Sequence, residues 1–482
     1  MKIIGKVWKG NRNGVGFVKL PIEVIDNFNL KDRIKVNALR GSINFETFYS
    51  SISSYKGYLG FYIPKNICLS HNIIGQELIF DINKVDGFYS KLGNDGRLYL
   101  PSKLSEELRL KQNDLILIEG HFGNLRKTKL CKLKVREKNG RKEYFCIFSS
   151  ESKNRSGLFN IKRKLSKEVK EPLKSILKGL DFGVWGKNKI SIIQHKSQLD
   201  ITPNIELNEN LFFYFGCYFA DGTKRNNWAI TASTFEQANF YKRMHESLIL
   251  NPEYDSSYIS ITLKKKVNLE LIKNLWEKNC KIKVNRVRKR FSRNGSSKIH
   301  TYGSLVIRDS RVITLTYYKR LLEYVINYII SGKDQTAALN FICGVLEGDG
   351  SPSARKRGYI IISSNKDDIP ILDKILKIAG LGYKINTNRS KTFVRVNTLS
   401  LISKLESISS RIFIYYPERR KKFIERFCRV GAVKFILGQQ SYCSSWVKAW
   451  LKKEGILNKE YQLTPKGLKI KKILANMIKS VS

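Results

Sequence analysis

Two stretches decide how this chain is read: Tyr214–Gly222, "YFGCYFADG", and Ile342–Gly350, "ICGVLEGDG". Each has Gly at its third position, a small residue at its seventh and Asp-Gly at its end. The run "ENLFFYFGCYFADG" is apolar almost all round, as a buried helix would be. Gly216 and Ala220 stand four apart on one helix face, and so do Gly344 and Gly348. Small residues at that spacing let two helix backbones approach closely. A glycine inside a helix costs about 0.5–1 kcal/mol against alanine, so its repetition points to a neighbour that needs the space. Asp221 and Asp349 fall in the last turns, before Gly222 and Gly350, glycines able to end a helix in the left-handed conformation. A carboxylate there meets the negative end of the helix dipole. Two such helices packed in parallel would gather both carboxylates, and the cluster calls for cations. Mg²⁺, which favours hard oxygen ligands, is the expected one. Carboxylates holding metal beside a phosphate are the parts of metal-assisted phosphodiester hydrolysis.

The segments after the two motifs also match. "WAITASTFEQANFYKRMHESL" and "YIIISSNKDDIPILDKILKIAGL" each read as an apolar strand, a polar turn and an amphipathic helix. The acids lie 128 residues apart, a length suited to one duplicated domain. "TYYKRLLEYVI" and "IYYPERRKKFI" form a later matched pair, and their spacing from the acids places an insertion of about thirty residues in the first half, between Asn251 and Asn294.

The two stretches resemble the paired motifs of the LAGLIDADG homing endonuclease family, over about residues 206–430. The resemblance implies an α+β core of two αββαββα halves, 206–330 and 331–430, related by pseudo-twofold symmetry. The motif helices would form the interface, through Gly216, Ala220, Gly344 and Gly348, and each half would lay a sheet into a DNA major groove. Asp221 and Asp349 map onto the metal-binding acids, and the carbonyls of Ala220 and Gly348 onto a supporting ligand position. The sixth motif position holds Phe219 and Glu347 where Asp is common. The resemblance also asks for a basic residue near each active site, for which Lys319 and Lys421 are the candidates beside ordinary phosphate-contacting roles.

Arg286, Arg288 and Arg290 alternate at period two, and Lys384, Asn386, Asn388 and Arg395 stand at what reads as the corresponding place. Alternation puts such residues on one sheet face. Arg can pair with guanine and Asn with adenine, while others contact phosphates or only water.

The first 120 residues carry three copies of a strand–proline–turn–strand unit, at Pro21, Pro64 and Pro101. So short a strand pair cannot bury a face alone, and the copies should pair with one another. The pattern resembles the AbrB-like swapped-hairpin domain, a β-rich DNA-binding module, with a plain β scaffold as the alternative. Residues 121–205 read as a basic connector containing a hairpin at Asn139-Gly140. Residues 431–482, with "SSWVKAWLKKEGIL" and "YQLTPKG", resemble a small winged-helix DNA-binding domain, or else a helical tail on the core.

The chain has 482 residues and a net charge of +47, an excess that calls for a polyanionic partner such as nucleic acid. Eight cysteines form no Cys-x-x-Cys pair or zinc spacing, which fits a reducing, cytoplasmic setting. No apolar run reaches membrane-helix length and no phosphate-cradling Gly-rich loop occurs, so neither a membrane nor a small-molecule substrate is expected. The expectation is a site-specific, Mg²⁺-dependent double-strand DNA endonuclease with a monomeric core, its N-terminal repeats offering a route to dimers. The alternatives are a non-cleaving transcriptional regulator on the same scaffold, as in WhiA-like proteins, and an intron RNA maturase.

Overall fold

The structure, a computed structural model, describes residues 1–11, 14–28, 33–40, 43–84, 87–122, 125–148, 156–166, 168–185, 188–194, 197–223, 225–263, 268–291, 302–352, 359–388 and 391–480. It is a mixed α+β chain of two compact units, residues 1–167 with 182–185, and residues 168–181 with 186–482.

The first unit explains the repeat. Strands Lys2–Lys9, Gly16–Lys19, Arg33–Arg40, Ile43–Tyr55, Tyr58–Ile63 and Glu77–Lys84 close a six-stranded barrel. The leading strands of the first two copies pair, Phe17 opposite Tyr62, and so do the trailing strands, Val36 opposite Ile82. Lys2–Lys9 joins the leading strand of copy one to the trailing strand of copy two, and Ile43–Tyr55 makes the converse link. Exchanging the copies therefore maps each pairing onto another. Pro21 and Pro64 stand just before the short helices Ile22–Asn27 and Lys65–His71, where a missing N–H costs nothing. Ile34, Val36, Ile52, Phe61, Phe80 and Ile82 fill the barrel.

The third copy does not join that barrel. Its strands Arg97–Leu100 and Leu115–Phe122 pair with Arg141–Ile147 and Ser156–Lys164, which lie in the stretch expected to be a connector. The pairing scheme follows that of the barrel but stays open as two sheets. Phe88–Lys91 pairs with Ser156–Lys164, Leu115–Phe122 with Leu125–Lys132, and Lys134–Lys138 with Arg141–Ile147. Residues 125–164 thus take the place of a fourth copy, around a core of Leu98, Ile116, Ile118, Cys146, Phe148 and Phe159. The basic-connector expectation is corrected to this extent. No proline follows this copy's leading strand, so the marker that made the others visible is missing. The hairpin turn at Asn139-Gly140 does form, both residues at positive φ (51° and 69°).

In the second unit the apolar runs become helices Glu209–Asp221 and Gln335–Asp349. Asn208 caps the first, accepting from Leu211 N at 3.0 Å, and Asp334 caps the second, accepting from Ala337 N at 3.0 Å. Gly222 and Gly350 leave these helices in extended conformation (φ −79° and −69°), not the left-handed one expected. Glycine is needed there for space, since a Cβ would strike the carbonyl oxygens of Tyr218 and Leu346.

After the second motif helix come strands Gly350–Pro352 and Tyr359–Ser364, helix Ile369–Ile378, strands Tyr383–Asn388 and Lys391–Asn397, and, past two short helices, Pro417–Phe427. The four strands form one antiparallel sheet. After the first motif helix, Trp228–Ala232, Ser304–Asp309 and Tyr258–Leu263 pair antiparallel in that order. A crossover through helix Leu269–Cys280 then adds Arg286–Phe291, parallel to Tyr258–Leu263, as a fourth strand at the edge. Helix Val312–Gly332 closes this half. The extra length lies between residues 263 and 304, so Arg286–Phe291 is an addition to the sheet. Its partner Tyr258–Leu263 is the strand that occupies the place of Tyr383–Asn388.

The C-terminal stretch holds helices Gly431–Leu437, Ser445–Lys453 and Pro465–Lys479, with a single antiparallel bridge, Leu457 to Leu463, between the last two. Ser444 and Thr464 cap the latter two helices. Among the described residues no helix is long and apolar enough to cross a membrane.

Candidate functional site

The site begins with two glycines. A Cβ on Gly216 would run into the carbonyl oxygen of Phe341 and stand 3.0 Å from Gly344 Cα. A Cβ on Gly344 would run into the carbonyl oxygen of Phe213 and stand 2.8 Å from Cys217 N. One turn on, the Cβ position of Gly348 is 2.7 Å from Ala220 Cβ and 2.9 Å from Asp221 Oδ2. Successive close approaches advance toward both C-termini, so the two helices run parallel and in contact. Their ends are therefore neighbours, and the Asp221 carboxylate lies against the last turn of the other helix, whose final residue is Asp349.

The surroundings are apolar. Phe219 packs edge-on against Phe341 at 5.6 Å. Burial pushes the Asp221 carboxyl up to about 6, against the opposing pull of the Arg419 guanidinium. Glu347 is almost completely enclosed, and burial pushes it up to about 8, although its Oε1 accepts the Tyr415 N–H at 3.1 Å. At neutral pH it is chiefly protonated, so it adds no charge to the cluster. Its Oε2 has no hydrogen-bond partner.

Arg419, on helix Pro417–Phe427, is the residue the sequence reading missed. Its Nη1 donates to the carbonyl oxygens of Glu347 (2.8 Å) and Gly348 (2.6 Å), and its guanidinium lies over the Tyr416 ring at 4.4 Å. It thus satisfies two C-terminal carbonyls of the second motif helix and places a cation beside Asp221. The signal was present in "YYPERRKKF", where any of four basic residues could have been chosen. Lys421, the one expected, is exposed on the same helix. Lys319 lines a groove of about 630 Å³ with Ser175, Ile176, Thr316 and Glu323. Its neighbour Tyr318 is the residue that faces the first motif helix, hydrogen-bonded to Tyr214 at 3.2 Å.

The oxygen atoms at the helix ends suit a hard divalent cation. Two carboxylates and the Ala220 carbonyl are of the right chemistry, while one lone pair of the Gly348 carbonyl is taken by Arg419. Among the described residues no group of three or more His, Cys, Asp or Glu could hold a metal ion, so the protein supplies few ligands there. Magnesium sites commonly keep waters and add substrate phosphate oxygens to one or two carboxylates.

The sheets carry Arg286, Arg288, Lys384 and Arg395 on their open faces, while the side chains of Arg290 and Asn388 lie outside what the structure describes. In the first half Ile259 and Ile261 point into the core, which leaves Tyr258 and Ser260 outside, in register with Arg286 and Arg288. The Arg288 guanidinium covers the Tyr258 ring at 3.9 Å. Arg290 holds the register position opposite Thr262. In the second half Val394 and Val396 are buried, Lys384 stands opposite Arg395, Asn386 opposite Phe393 and Asn388 opposite Lys391. The two sets are not at equivalent places, because the arginines sit on the added edge strand.

Comparison with protein-family models gives no match, and comparison with curated proteins gives none either. Among solved structures, one match is the crystal structure of I-DmoI in complex with DNA and Mn, at 14% identity and a TM-score of 0.26. It covers 43% of this chain and 98% of that one. An overlap at that score carries no argument, and the functional reading stands on the geometry of the motif helices.

Proposed function

We propose that this protein is a metal-dependent DNA endonuclease with a duplicated LAGLIDADG-type core in residues 206–430. The observation that carries the reading is the parallel, glycine-to-glycine contact of the motif helices, which delivers two aspartate-bearing C-termini to one place. Asp221 and Asp349 hold a divalent cation, Mg²⁺ or an equivalent, with the Ala220 carbonyl as a further ligand. When bound, that cation supplies Lewis-acid stabilisation of the scissile phosphate. The open faces of the two sheets grip duplex DNA, Arg286, Arg288, Arg290, Lys384 and Arg395 by charge and Asn386 and Asn388 by hydrogen bonding. Arg419 fixes the last turn of the second motif helix. The N-terminal repeats, in the AbrB manner, and the C-terminal winged-helix-like segment serve as accessory nucleic-acid modules.

A second reading has one observation in its favour. Arg419 already sets a positive charge beside Asp221 and occupies the Gly348 carbonyl, which suits a DNA-binding regulator that needs no metal. Incubation with DNA from the chain's own genomic neighbourhood, in Mg²⁺ and in Ca²⁺, separates the two. Cleavage in Mg²⁺ that is lost in Asp221→Asn and Asp349→Asn, with binding kept, supports the nuclease. Tight binding without cleavage under any divalent metal supports the regulator.

A further inference from the structure

The barrel carries an aromatic and cationic outer face that the nuclease reading does not use. Trp8, Phe17 and Tyr62 are consecutive partners across three strands. Phe17 meets Tyr62 at 5.1 Å and Tyr55 at 5.2 Å, edge to face. Gly60 makes room for this cluster, since a Cβ there would come within 2.5 Å of the Phe17 ring. Two rings project from it into solvent, Trp8 at 55% exposure and Tyr58 at 51%. Lysines border them: Lys19 Nζ lies 3.8 Å from the Tyr58 ring centre and Lys6 Nζ 5.5 Å from that of Trp8. A single exposed ring is ordinary; the informative feature is the grouping of exposed rings with lysines on one face, the lysines supplying the charge that a polyanion would meet.

The two sheets built by the third and fourth copies repeat the arrangement at the equivalent place. There too the leading strands of the two copies pair, and their outward residues are again aromatic, Tyr99 opposite Phe145 at 5.6 Å. Arg97 lies over Phe145 at 5.0 Å and Arg136 over Tyr99 at 5.2 Å. The ring pair is a phenylalanine opposite a tyrosine in both, Phe17 with Tyr62 and Phe145 with Tyr99, while the cations beside it differ. In this sheet the cations are partly neutralised, Arg97 by Asp95 and Arg136 by Glu143, both at 2.7 Å. The face on the barrel is accordingly the stronger of the two.

We propose that these paired faces are docking surfaces for an unpaired DNA strand. Rings standing out from a sheet stack on base faces, which a duplex hides within its own stack, and the flanking ammonium groups meet the backbone phosphates. Such stacking is indifferent to sequence, so the surface binds without base preference. The choice of DNA over RNA rests on the nuclease reading. The single-strand property itself does not.

The test is fluorescence anisotropy of the full chain with a labelled 20-nucleotide oligo(dT) in EDTA, against a duplex of equal length and against oligo(U). Wild type should bind oligo(dT) without metal. Trp8→Ala and Tyr58→Ala remove exposed rings and should each weaken oligo(dT) binding roughly 5- to 100-fold, the usual worth of one stacked base. Duplex affinity should change less than twofold. Tyr99→Ala should weaken oligo(dT) binding by a smaller factor, and circular dichroism of each variant reports whether the fold is intact. Unchanged oligo(dT) affinity in the folded Trp8→Ala/Tyr58→Ala double variant overturns the proposal, as does equal loss on duplex. Tighter binding of oligo(U) than of oligo(dT) overturns the assignment to DNA. Absence of cleavage with these effects intact counts against the nuclease alone.

Discussion

Adding one methyl group to Gly344 tests the helix contact on which the site depends. The Cβ of Gly344→Ala would collide with the Phe213 carbonyl oxygen and lie 2.8 Å from Cys217 N and 2.9 Å from Gly216 Cα. All three obstacles are backbone of the facing helix, so no side chain can rotate away, and the helices must part. Overpacking of this kind costs about 1–3 kcal/mol, and a rigid backbone neighbour puts the value at the upper end. Alanine returns up to about 1 kcal/mol of helix propensity. The net expectation is a loss of about 2 kcal/mol, concentrated in the two motif helices. Gly332→Ala is the control, because nothing lies within 4 Å of its Cβ position. Because the chain has more than one unit, a single denaturation midpoint would blur the effect. Amide hydrogen exchange in Glu209–Asp221 and Gln335–Asp349 resolves it. If Gly344→Ala exchanges in both helices within about 0.5 kcal/mol of wild type, with Gly332→Ala the same, the close backbone approach is refuted.

Other outcomes can be stated from the same structure. His245 is fully buried, stacked on Trp228 at 3.9 Å and bonded to the Tyr318 hydroxyl at 2.8 Å, and burial lowers its pKa to about 3. The unfolded chain then binds the proton first, so the His245 contribution to stability is complete above about pH 6.5 and falls by about 1.4 kcal/mol per pH unit below it, toward pH 3. Measured by hydrogen exchange in the second unit, wild type should lose about 2 kcal/mol relative to His245→Gln between pH 7 and pH 5, a difference in which the oppositely signed titrations of Glu347 and Asp221 cancel. DNA binding should weaken steeply with salt, and each of Arg286→Ala, Lys384→Ala and Arg395→Ala that deletes a phosphate contact should reduce the slope of log K against log salt by about 1. Slopes equal to wild type in all three variants would remove the sheets from the interface.

The motif helices were legible because a glycine followed four residues on by another small residue within an apolar run has few other uses, and because the pattern occurs twice. The repeats were legible where a proline marks the end of the leading strand, at Pro21, Pro64 and Pro101. The fourth copy was not, since Ile147 is followed by Phe-Ser-Ser and its basic strands look like linker composition. The place of the first-half insertion could be counted but not resolved, because Tyr258–Leu263 and Arg286–Phe291 are both short alternating strands. Only the observed pairing tells which belongs to the common sheet and which was added at its edge. The exit conformation of Gly222 and Gly350 was misjudged for a related reason. Glycine at a helix end serves either a left-handed turn or a tight contact, and sequence does not separate the two. Arg419 was hidden among its neighbours. Pro417 starts the helix, and the helical turn from it carries Arg419 inward while Lys421 faces solvent.

The central claim is that two helix ends share one cation. Electron paramagnetic resonance of Mn²⁺ titrated into the chain bound to duplex DNA measures it directly. Wild type should show a bound population that Asp221→Asn and Asp349→Asn each reduce at least tenfold in affinity, with the double variant little weaker than either single one. Manganese binding that survives both substitutions, or that divides into two sites each sensitive to one acid alone, would contradict the account.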